Sequence, residues 1–360
     1  MAMAENERTE GGLLLSRVLS VLVILAGILF AAQLCVAAPA QPDHSHVSNI
    51  FDPHSGNAGI LYRLGNFVLS ITGLIFVVVF TLLVYVVVKF RSRAGDNGRE
   101  PAQVYGSTQI ELAWTVIPIL IVVVLFLATA RVIHAIEDAE QPTNAMEVTV
   151  IGHQFWWEYR YPALGVVTAN ELHIPVSDPA HPRPTFFKLL SADTDHSFWV
   201  PQLGGKTDLI PNRINKIWFS PQETGVFLGQ CAQYCGTQHA KMLLRVSVDS
   251  TEDFDAWIRA QKLPAIQDEK EAAGRRVFET TACLNCHAVG GTNGTGRFGP
   301  DLTHLMSRQT IAAGAAENTP ANLRLWIQNP DAIKFGSLMP AMKLSDADLD
   351  ALVRYLETLK

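Results

Sequence analysis

Three long apolar segments in the first 135 residues most constrain how this 360-residue chain can fold. The first runs from about Leu13 to Ala38, with Arg8 and Arg17 before or near its start. It ends in Ala-Pro-Ala, a small-residue pattern typical of signal-peptide cleavage. We therefore predict a secretory signal peptide over residues 1–40, with a retained first transmembrane helix as the alternative.

The second and third segments are long enough to cross a bilayer. Leu64 to Val88 would form a helix of about 37 Å, and Leu112 to Ala130 is just long enough. The short connection between them, residues 89–99, is basic, and short basic loops stay cytoplasmic. We predict a transmembrane hairpin within residues 41–135, followed by extracytoplasmic domains. A buried hairpin in a soluble protein is the alternative, which the length and the lack of charge disfavour.

Composition excludes two other classes of protein. Hydrophobic residues make up 48% of the chain and charged residues 17%, against about 25% charged in an ordinary soluble domain. This apolar content excludes a disordered chain. A net charge of −6 removes the usual electrostatic basis for nucleic-acid binding, so we expect no nucleic-acid partner.

Residues 146–249 have the pattern of a β domain. Hydrophobic and polar residues alternate in Met146–Ile151, Lys216–Phe219 and Leu243–Val248, and turn residues separate these stretches at short intervals. The pattern predicts an antiparallel β-sandwich or barrel. A short helix from Glu252 to Gln261 and a polar linker are predicted to fill residues 250–270.

Residues 271–360 are predicted to form a small helical domain. Thr319-Pro320 is a cap and first-turn proline for a helix from Ala321 to Gln328. Ser345 begins a capping-box-like start for a helix through Leu359. The intervening sequence is rich in glycine and poor in regular structure, so the domain needs something else at its centre.

Within this helical domain, Cys283-Leu-Asn-Cys286-His287 is the pattern of c-type haem attachment. The two thiols would add across the haem vinyl groups, and His287 would bind the iron from one face. Met339, in a proline-containing loop, is expected on the other face in preference to Met342. With both axial positions filled, this haem c should carry electrons rather than activate a substrate. A zinc site or a redox dithiol is the alternative, which the secretory context and the downstream methionine disfavour.

A second cluster presents Cys231, Cys235, His239 and Met242 within twelve residues. Soft sulfur ligands combined with imidazole and a thioether favour copper over zinc. The Cys-x3-Cys spacing lets both thiolates project from one loop and bridge two metals, and His196 on an earlier β-segment could supply another imidazole. The alternatives are a disulfide, which leaves the histidine and methionine unexplained, and a single-copper site, which needs only one cysteine.

The pattern Cys-x3-Cys-x3-His-x2-Met, with His196–Pro201 and Lys206–Pro211 upstream, resembles the binuclear copper A domain of cytochrome c oxidase subunit II. Gly152–Trp157 and Glu111–Pro118 resemble that family too, and the resemblance covers about residues 60–249. The fused haem domain is similar to that of the cytochrome c-linked subunit II of some bacterial oxidases. The implied fold is a multidomain membrane protein with a two-helix hairpin (about residues 64–88 and 112–130), an all-β cupredoxin-like domain and an all-α class I cytochrome c domain.

The resemblance also implies roles for particular residues. Two copper ions would be held by five side chains and one backbone carbonyl, those of His196, Cys231, Cys235, His239 and Met242, and of Gln233. Phe155, Trp156 and Trp157 fall in the aromatic stretch on the electron path. Glu111 resembles a carboxylate near a proton-channel entrance. No catalytic residue for oxygen reduction is expected in this chain.

Two residues depart from the pattern of that family. Gln233 stands where a glutamate usually also binds magnesium or manganese. Its backbone carbonyl survives the change but the anionic ligand does not, so we expect copper binding to be kept and the hard-metal site to be weakened or differently completed. Phe155 stands where a tryptophan usually receives electrons from a soluble cytochrome. A tethered donor relaxes that requirement because a linker supplies a high effective concentration.

Together these features predict an electron-transfer subunit of a terminal oxidase in the bacterial inner membrane, with its soluble domains on the periplasmic face. An external donor, either a soluble cytochrome or a quinol-oxidising complex, would reduce the haem. Electrons would then pass to copper A and on to subunit I, the oxygen-reducing and proton-translocating partner, with subunit III a further expected partner. The alternatives are an electron-transfer subunit of another terminal reductase and a copper-delivery assembly factor. A delivery factor leaves the methionine, the tryptophan-rich stretch and the haem domain unexplained.

Overall fold

A computed structural model describes residues 48–91, 103, 106–143, 145–177, 182–266 and 268–360. The predicted signal peptide and most of the basic connection in the hairpin lie outside these residues.

Two long apolar helices open the described chain: α1 (Gly56–Lys89) and α2 (Thr108–Glu137). Their most apolar windows have mean hydropathies of 2.9 and 2.8, so both are long and apolar enough to cross a membrane. Both extend beyond the predicted apolar segments, because the helices continue into their polar flanks. Ser55 caps α1 by accepting a hydrogen bond from the backbone N of Ala58 at 3.1 Å.

Ten strands follow. They are β1 (Met146–His153), β2 (Trp156–Tyr161), β3 (Val166–Ala169), β4 (Glu171–Pro175), β5 (Thr185–Ser191), β6 (His196–Trp199), β7 (Thr207–Leu209), β8 (Asn215–Phe219), β9 (Gly225–Cys231) and β10 (Leu243–Asp249). They form two sheets of five strands, in the orders β3-β2-β1-β5-β8 and β4-β10-β9-β6-β7. The sheets share one core, in which Trp157, Tyr159, Phe198 and Phe219 are fully buried.

The sheets are mixed rather than purely antiparallel. β1 pairs with β5, and β10 pairs with β4, in parallel register. The expectation of an antiparallel domain was wrong at these two pairs. Alternation along a strand reports which face is buried, as in β10, but not the direction of the neighbouring strand. That direction depends on the long connections between the two sheets.

The last third of the chain is helical, as predicted. Helix α3 (Thr251–Gln261) packs Phe254 and Ile258 onto the β core. The remaining elements are α4 (Ala272–Thr280), α5 (Cys283–Cys286), β11 (Thr310–Ile311), β12 (Ala316–Glu317), α6 (Pro320–Gln328), α7 (Pro330–Ile333) and α8 (Asp346–Glu357). We call the part from α4 to α8 the haem domain.

The helices of the haem domain begin at the predicted caps. Thr319 caps α6 by accepting from the backbone N of Asn322, and Ser345 caps α8 by accepting from that of Asp348, both at 3.2 Å. α4 crosses α8 so closely that a Cβ at Gly274 would lie 2.0 Å from the carbonyl oxygen of Ala351. Only glycine permits that approach.

Candidate copper and haem centres

The donor residues of the predicted copper cluster lie together where β9 leads through a loop into β10. The Sγ atom of Cys231 lies 3.8 Å from the Sγ of Cys235 and 3.9 Å from the Nδ1 of His196. The Sγ of Cys235 lies 3.8 Å from both the Nδ1 of His239 and the Sδ of Met242. The five side chains therefore meet around two sulfur atoms.

Gln233 directs its backbone toward the same sulfur atoms. Its carbonyl oxygen accepts a hydrogen bond from the Sγ of Cys231 at 3.1 Å, while its side chain is exposed. The carbonyl thus stands where the resemblance requires a ligand. The expected weakening of a hard-metal site at Gln233 stays a prediction.

This donor set fits a soft metal. A sulfur–sulfur separation of 3.8 Å is far from the roughly 2.05 Å of a disulfide, and Cys231 and Cys235 are both free and buried. Thiol, imidazole and thioether donors together favour copper. The ligand atoms of His196, Cys231 and Cys235 all lie within 4.8 Å of one another, close enough to share one metal group.

The two thiols are in contact with each other. The hydrogen bond between them, assisted by His196, lowers the pKa of Cys231 although burial opposes the shift. The same bond, together with burial, raises the pKa of Cys235. The pair therefore offers one thiolate readily, and the second proton must leave when a metal binds.

Asp193 orients one imidazole, and sequence reasoning missed it. Its Oδ1 accepts from the Nε2 of His196 at 2.8 Å, which leaves the Nδ1 of that ring facing the sulfur atoms. Its Oδ2 accepts from the backbone N of Gln154 at 2.6 Å. Burial alone would raise the pKa of Asp193, but these bonds lower it overall. A carboxylate behind a metal-binding imidazole sets its tautomer and orientation. The sequence shows an acidic residue close to His196 at two positions, Asp193 and Asp195. It therefore could not show which of the two carboxylates contacts the imidazole.

The haem-attachment residues lie on α5 and directly after it. Cys283 and Cys286 are the first and last residues of α5, and both are half-buried. The Nδ1 of His287 donates to the carbonyl oxygen of Pro300 at 2.7 Å, which leaves the Nε2 free to accept a metal. Burial lowers the pKa of His287, so the ring is held in the neutral form that binds iron.

Met339 lies on the loop between α7 and α8. It is half-buried and packs against the same core as Cys283, as do Met306 and Met342. Two thiols followed by a neutral imidazole, with a thioether packed on the same apolar core as one of the thiols, fit a covalently held haem. The preference for Met339 over Met342 stays a prediction.

Two of the three aromatic residues of the predicted electron path, Phe155 and Trp157, border the copper donors, whereas Trp156 stacks on the ring of His153 at 4.2 Å. A Cβ at Gly236, in that loop, would lie 3.1 Å from the ring of Phe155. The rings of Trp157 and His196 meet edge to face at 6.1 Å. Phe155, Trp156 and Trp157 are all buried, with Phe155 8% exposed. Their role in electron transfer stays a prediction.

Glu111 lies far from this site along the hairpin. It is in the first turn of α2, at the end opposite to Glu137, and the β domain begins soon after Glu137. A helix of 30 residues is about 45 Å long, so Glu111 lies at the end of α2 that is far from the β domain. Its proposed proximity to a proton channel stays a prediction.

The haem domain contacts the copper loop directly. The Nε2 of Gln238 donates to the carbonyl oxygen of Phe335, and the Nζ of Lys241 donates to that of Ile333 at 2.8 Å. The segment that leads to the predicted axial methionine therefore lies on the loop that carries the copper donors.

A second set of contacts joins β4 and β10 to the β11–β12 hairpin. The buried carboxylate of Glu171 accepts from the backbone N of Gln309 at 2.9 Å, and from the N and Oγ1 of Thr310 at 2.8 and 2.7 Å. The backbone N of Leu243 donates to the carbonyl oxygen of Ala313 at 3.1 Å. The two domains thus share buried polar contacts at two places.

Three family models match successive parts of the chain. The transmembrane domain of cytochrome c oxidase subunit II matches residues 45–132, its periplasmic domain matches residues 180–249, and cytochrome c matches residues 271–360. Cytochrome c oxidase subunit 2 of Alkalihalophilus pseudofirmus is 38% identical over 318 residues, which cover 86% of this chain and 90% of that protein. The chain belongs to the cytochrome c oxidase subunit II family.

The chain is also similar to two further relatives and to one solved structure. Cytochrome c oxidase subunit 2 of Bacillus subtilis is 35% identical over 77% of this chain and 82% of its own length, and a quinol oxidase subunit 2 of the same organism is 32% identical over 72% and 75%. The periplasmic domain of subunit II of the Bradyrhizobium japonicum cytochrome oxidase is 29% identical, with a TM-score of 0.31, over 34% of this chain and 96% of that one.

The predicted family and fold class are confirmed. The chain is subunit II of a terminal oxidase that carries a cytochrome c domain, and two apolar helices make it a membrane protein. The family implies copper A and haem c.

Proposed function

We propose that this subunit passes electrons from a haem c to a two-copper centre, and from there to the oxygen-reducing subunit I. When bound, each centre supplies a one-electron carrier, and the protein sets its position and potential. We assign residues 146–249 to the copper domain and residues 271–360 to the haem domain. An external donor would reduce the haem first.

In this proposal, the chain's residues hold and orient the two carriers. The copper ions are bound by His196, Cys231, Cys235, His239 and Met242, and by the backbone carbonyl of Gln233. The haem is bound covalently by Cys283 and Cys286, and its iron by His287 and Met339. Asp193 and Pro300 orient two of these ligands by accepting hydrogen bonds from their imidazoles. Asp193 accepts from His196 at 2.8 Å, and the carbonyl of Pro300 accepts from His287 at 2.7 Å.

One observation carries the proposed transfer between the two carriers: the segment before Met339 is hydrogen-bonded to the loop that contains His239. The contacts from Gln238 to Phe335 and from Lys241 to Ile333 lie four to six residues from Met339 and at most two from His239. Donor and acceptor sites are therefore held side by side within one chain. A separate encounter with a soluble donor is not needed for this step.

The contact between the two domains also supports our interpretation of Phe155, which stands where the family usually has a tryptophan. This residue is buried, and its carbonyl oxygen accepts a hydrogen bond from Lys334 of the haem domain at 2.7 Å. A surface tryptophan that attracts a soluble cytochrome has no use at a position that the tethered domain covers. We propose that Phe155, Trp156 and Trp157 lie on the path between the two carriers.

The helical hairpin and the partner subunits would complete the electron path at the membrane. The hairpin would anchor the copper domain at the periplasmic face of the bacterial inner membrane, above subunit I, with subunit III as a further partner. Oxygen reduction and proton translocation would occur in subunit I, with Glu111 near the entrance of a proton channel. The 34 and 30 residues of α1 and α2 support this placement, because both helices exceed the length of a bilayer.

Loss of copper tests the proposal in the assembled oxidase. Cys235→Ser should abolish copper binding, so the donor should still reduce the haem at its usual rate while oxygen consumption falls at least about 100-fold. Ala240→Ser, at an exposed position in the same loop, is the matched control and should behave as the native protein. Unchanged oxygen consumption in Cys235→Ser, with copper shown to be absent, would refute the proposed path.

A further inference from the structure

Lys334 is buried at the boundary between the haem domain and the copper domain. It follows α7 directly and is 3% exposed. Its Nζ donates to the carbonyl oxygen of Phe155 at 2.7 Å and to that of Ala312 at 3.0 Å. One acceptor belongs to the copper domain and the other to the haem domain, so a single amine joins the two.

Burying a lysine in this way is unfavourable unless its donors are satisfied. Among the described residues, no carboxylate lies within ion-pair distance of Lys334; its bonds go to the two neutral carbonyls. Burial lowers the pKa of Lys334 to about 7. A methionine or leucine would fill the same space at lower cost, so the two directed hydrogen bonds are what distinguish lysine here.

The position of these bonds connects Lys334 to the copper ligands. Phe155 follows Gln154, whose Nε2 donates to the carbonyl oxygen of Cys235 at 2.7 Å. On the other side, the two neighbours of Lys334 accept hydrogen bonds from Lys241 and Gln238 in the copper loop. Lys334 is thus the central residue of a three-residue stretch that is bonded to the copper domain throughout.

We propose that Lys334 is the positioning residue that fixes the haem domain on the copper loop in the pose required for electron transfer between them. The inference rests on the proposed function. Lys334 binds neither carrier; it acts through Phe155 and Gln154. Without its amine, the bonds of Gln238, Lys241 and Glu171 remain, but the docked pose is less populated, and electron transfer occurs only while that pose is formed.

The test compares Lys334→Met with Lys262→Met in the assembled, copper- and haem-loaded oxidase. Methionine keeps an apolar stem and removes both hydrogen bonds. Lys262, an exposed lysine at the end of α3, is the matched control. Flash reduction of the haem, followed by absorption of the copper centre, measures the rate of transfer within the chain. Repeating the measurement at increasing sucrose concentration measures its dependence on viscosity.

We expect transfer in Lys334→Met to be at least about 10-fold slower and to fall further with viscosity, because the domain must diffuse into place. The absorption spectra and the copper and haem contents should not change, which separates positioning from damage to a site. Native protein and Lys262→Met should transfer quickly and independently of viscosity.

Two results would overturn the inference. One is a native rate in Lys334→Met without viscosity dependence. The other needs no variant: viscosity-dependent transfer in the native protein would mean that the haem domain is not fixed, even if Lys334→Met fails to assemble. Complete absence of haem-to-copper transfer in the native protein would instead refute the proposed function.

Discussion

Asp193 is not a predicted copper ligand, but its carboxylate orients one of the predicted ligands, His196. His196 is fully buried, and a buried imidazole without a hydrogen-bonded partner could still change its tautomer. The bond at 2.8 Å from its Nε2 to Asp193 prevents this. β1 also passes close to the ring, since a Cβ at Gly152 would lie 2.8 Å from the Cδ2 of His196. The imidazole is therefore oriented before any metal arrives.

Asp193→Asn should therefore weaken copper binding by about 10- to 100-fold, the usual effect of losing a residue behind a metal ligand. An amide oxygen accepts less strongly than a carboxylate, and the amide can also turn its NH2 group toward the ring, which favours the other tautomer. Competition with a copper chelator, followed by absorption of the copper centre, measures the change. Asp195→Asn, two residues away and exposed, should retain native affinity. Equal affinities in the two variants would show that Asp193 does not support the site.

At the scale of elements, the turn of the β1–β2 hairpin contacts the copper loop of the other sheet through Gln154 and Phe155. Glu158, on β2, is 4% exposed; its Oε2 accepts from His153 at 3.0 Å and its Oε1 from Arg160 at 2.5 Å. Burial alone would raise the pKa of Glu158, but these two partners lower it overall. The buried carboxylate is therefore kept ionised by partners on its own hairpin.

This shift predicts acid sensitivity of the hairpin. A carboxyl whose pKa is lowered by folding contributes stability above its unfolded value, near 4.5, and loses it as the pH falls through the lower folded value. The free energy of unfolding should therefore fall less steeply below about pH 4.5 in Glu158→Gln than in the native protein. Tryptophan fluorescence during denaturant titration of the full chain measures this.

Glu147→Gln is the control for that prediction. Glu147, on β1 of the same sheet, pairs with Lys188 at 2.7 Å in a partly exposed ion pair, and such pairs contribute little. Its pH profile should follow that of the native protein. A Glu158→Gln profile that is as steep as the native one would contradict the assignment.

At the scale of the whole molecule, the two soluble domains are packed against each other rather than merely joined by a linker. Their contacts are largely polar. Lys334 of the haem domain bonds to Phe155 of the copper domain, and Glu171 of the copper domain bonds to Gln309 of the haem domain. Glu171 is 6% exposed, and its carboxylate satisfies three donors of the haem domain. Directional bonds of this kind specify one relative orientation, which an apolar contact alone would not.

Glu171→Ala should weaken this docking by about 2 kcal/mol or more, because hydrogen bonds to a charged group contribute roughly 1.5–3 kcal/mol each and buried donors are left without acceptors. Hydrogen exchange at the backbone N of Thr310 measures the change, and it should accelerate by at least about 30-fold. Glu317→Ala, exposed on the partner strand β12, should leave that exchange rate unchanged. Native protection in Glu171→Ala would show that this contact does not hold the domains together.

Sequence alone predicted the parts of this protein whose chemistry is local. The haem cysteines and His287 lie within five residues, and four of the copper donors lie within twelve, so their spacing is visible without a fold. The two membrane helices follow from apolar length alone, and the caps of α6 and α8 follow from neighbouring residues. His196 lies 35 residues before Cys231, so ligand chemistry offered it only as a candidate for the missing imidazole, and the family resemblance then assigned it to the site.

Only the tertiary structure decided how these parts are placed. The parallel strand pairs depend on crossovers between sheets, and the choice of Asp193 over Asp195 depends on where a turn folds against His196. Glu171 meets Thr310 across 139 residues, and Lys334 meets Phe155 across 179. No periodicity or motif reports contacts at such separations. A buried amine or carboxylate becomes favourable only when packing brings its partners within hydrogen-bond distance, and that packing is a property of the folded chain.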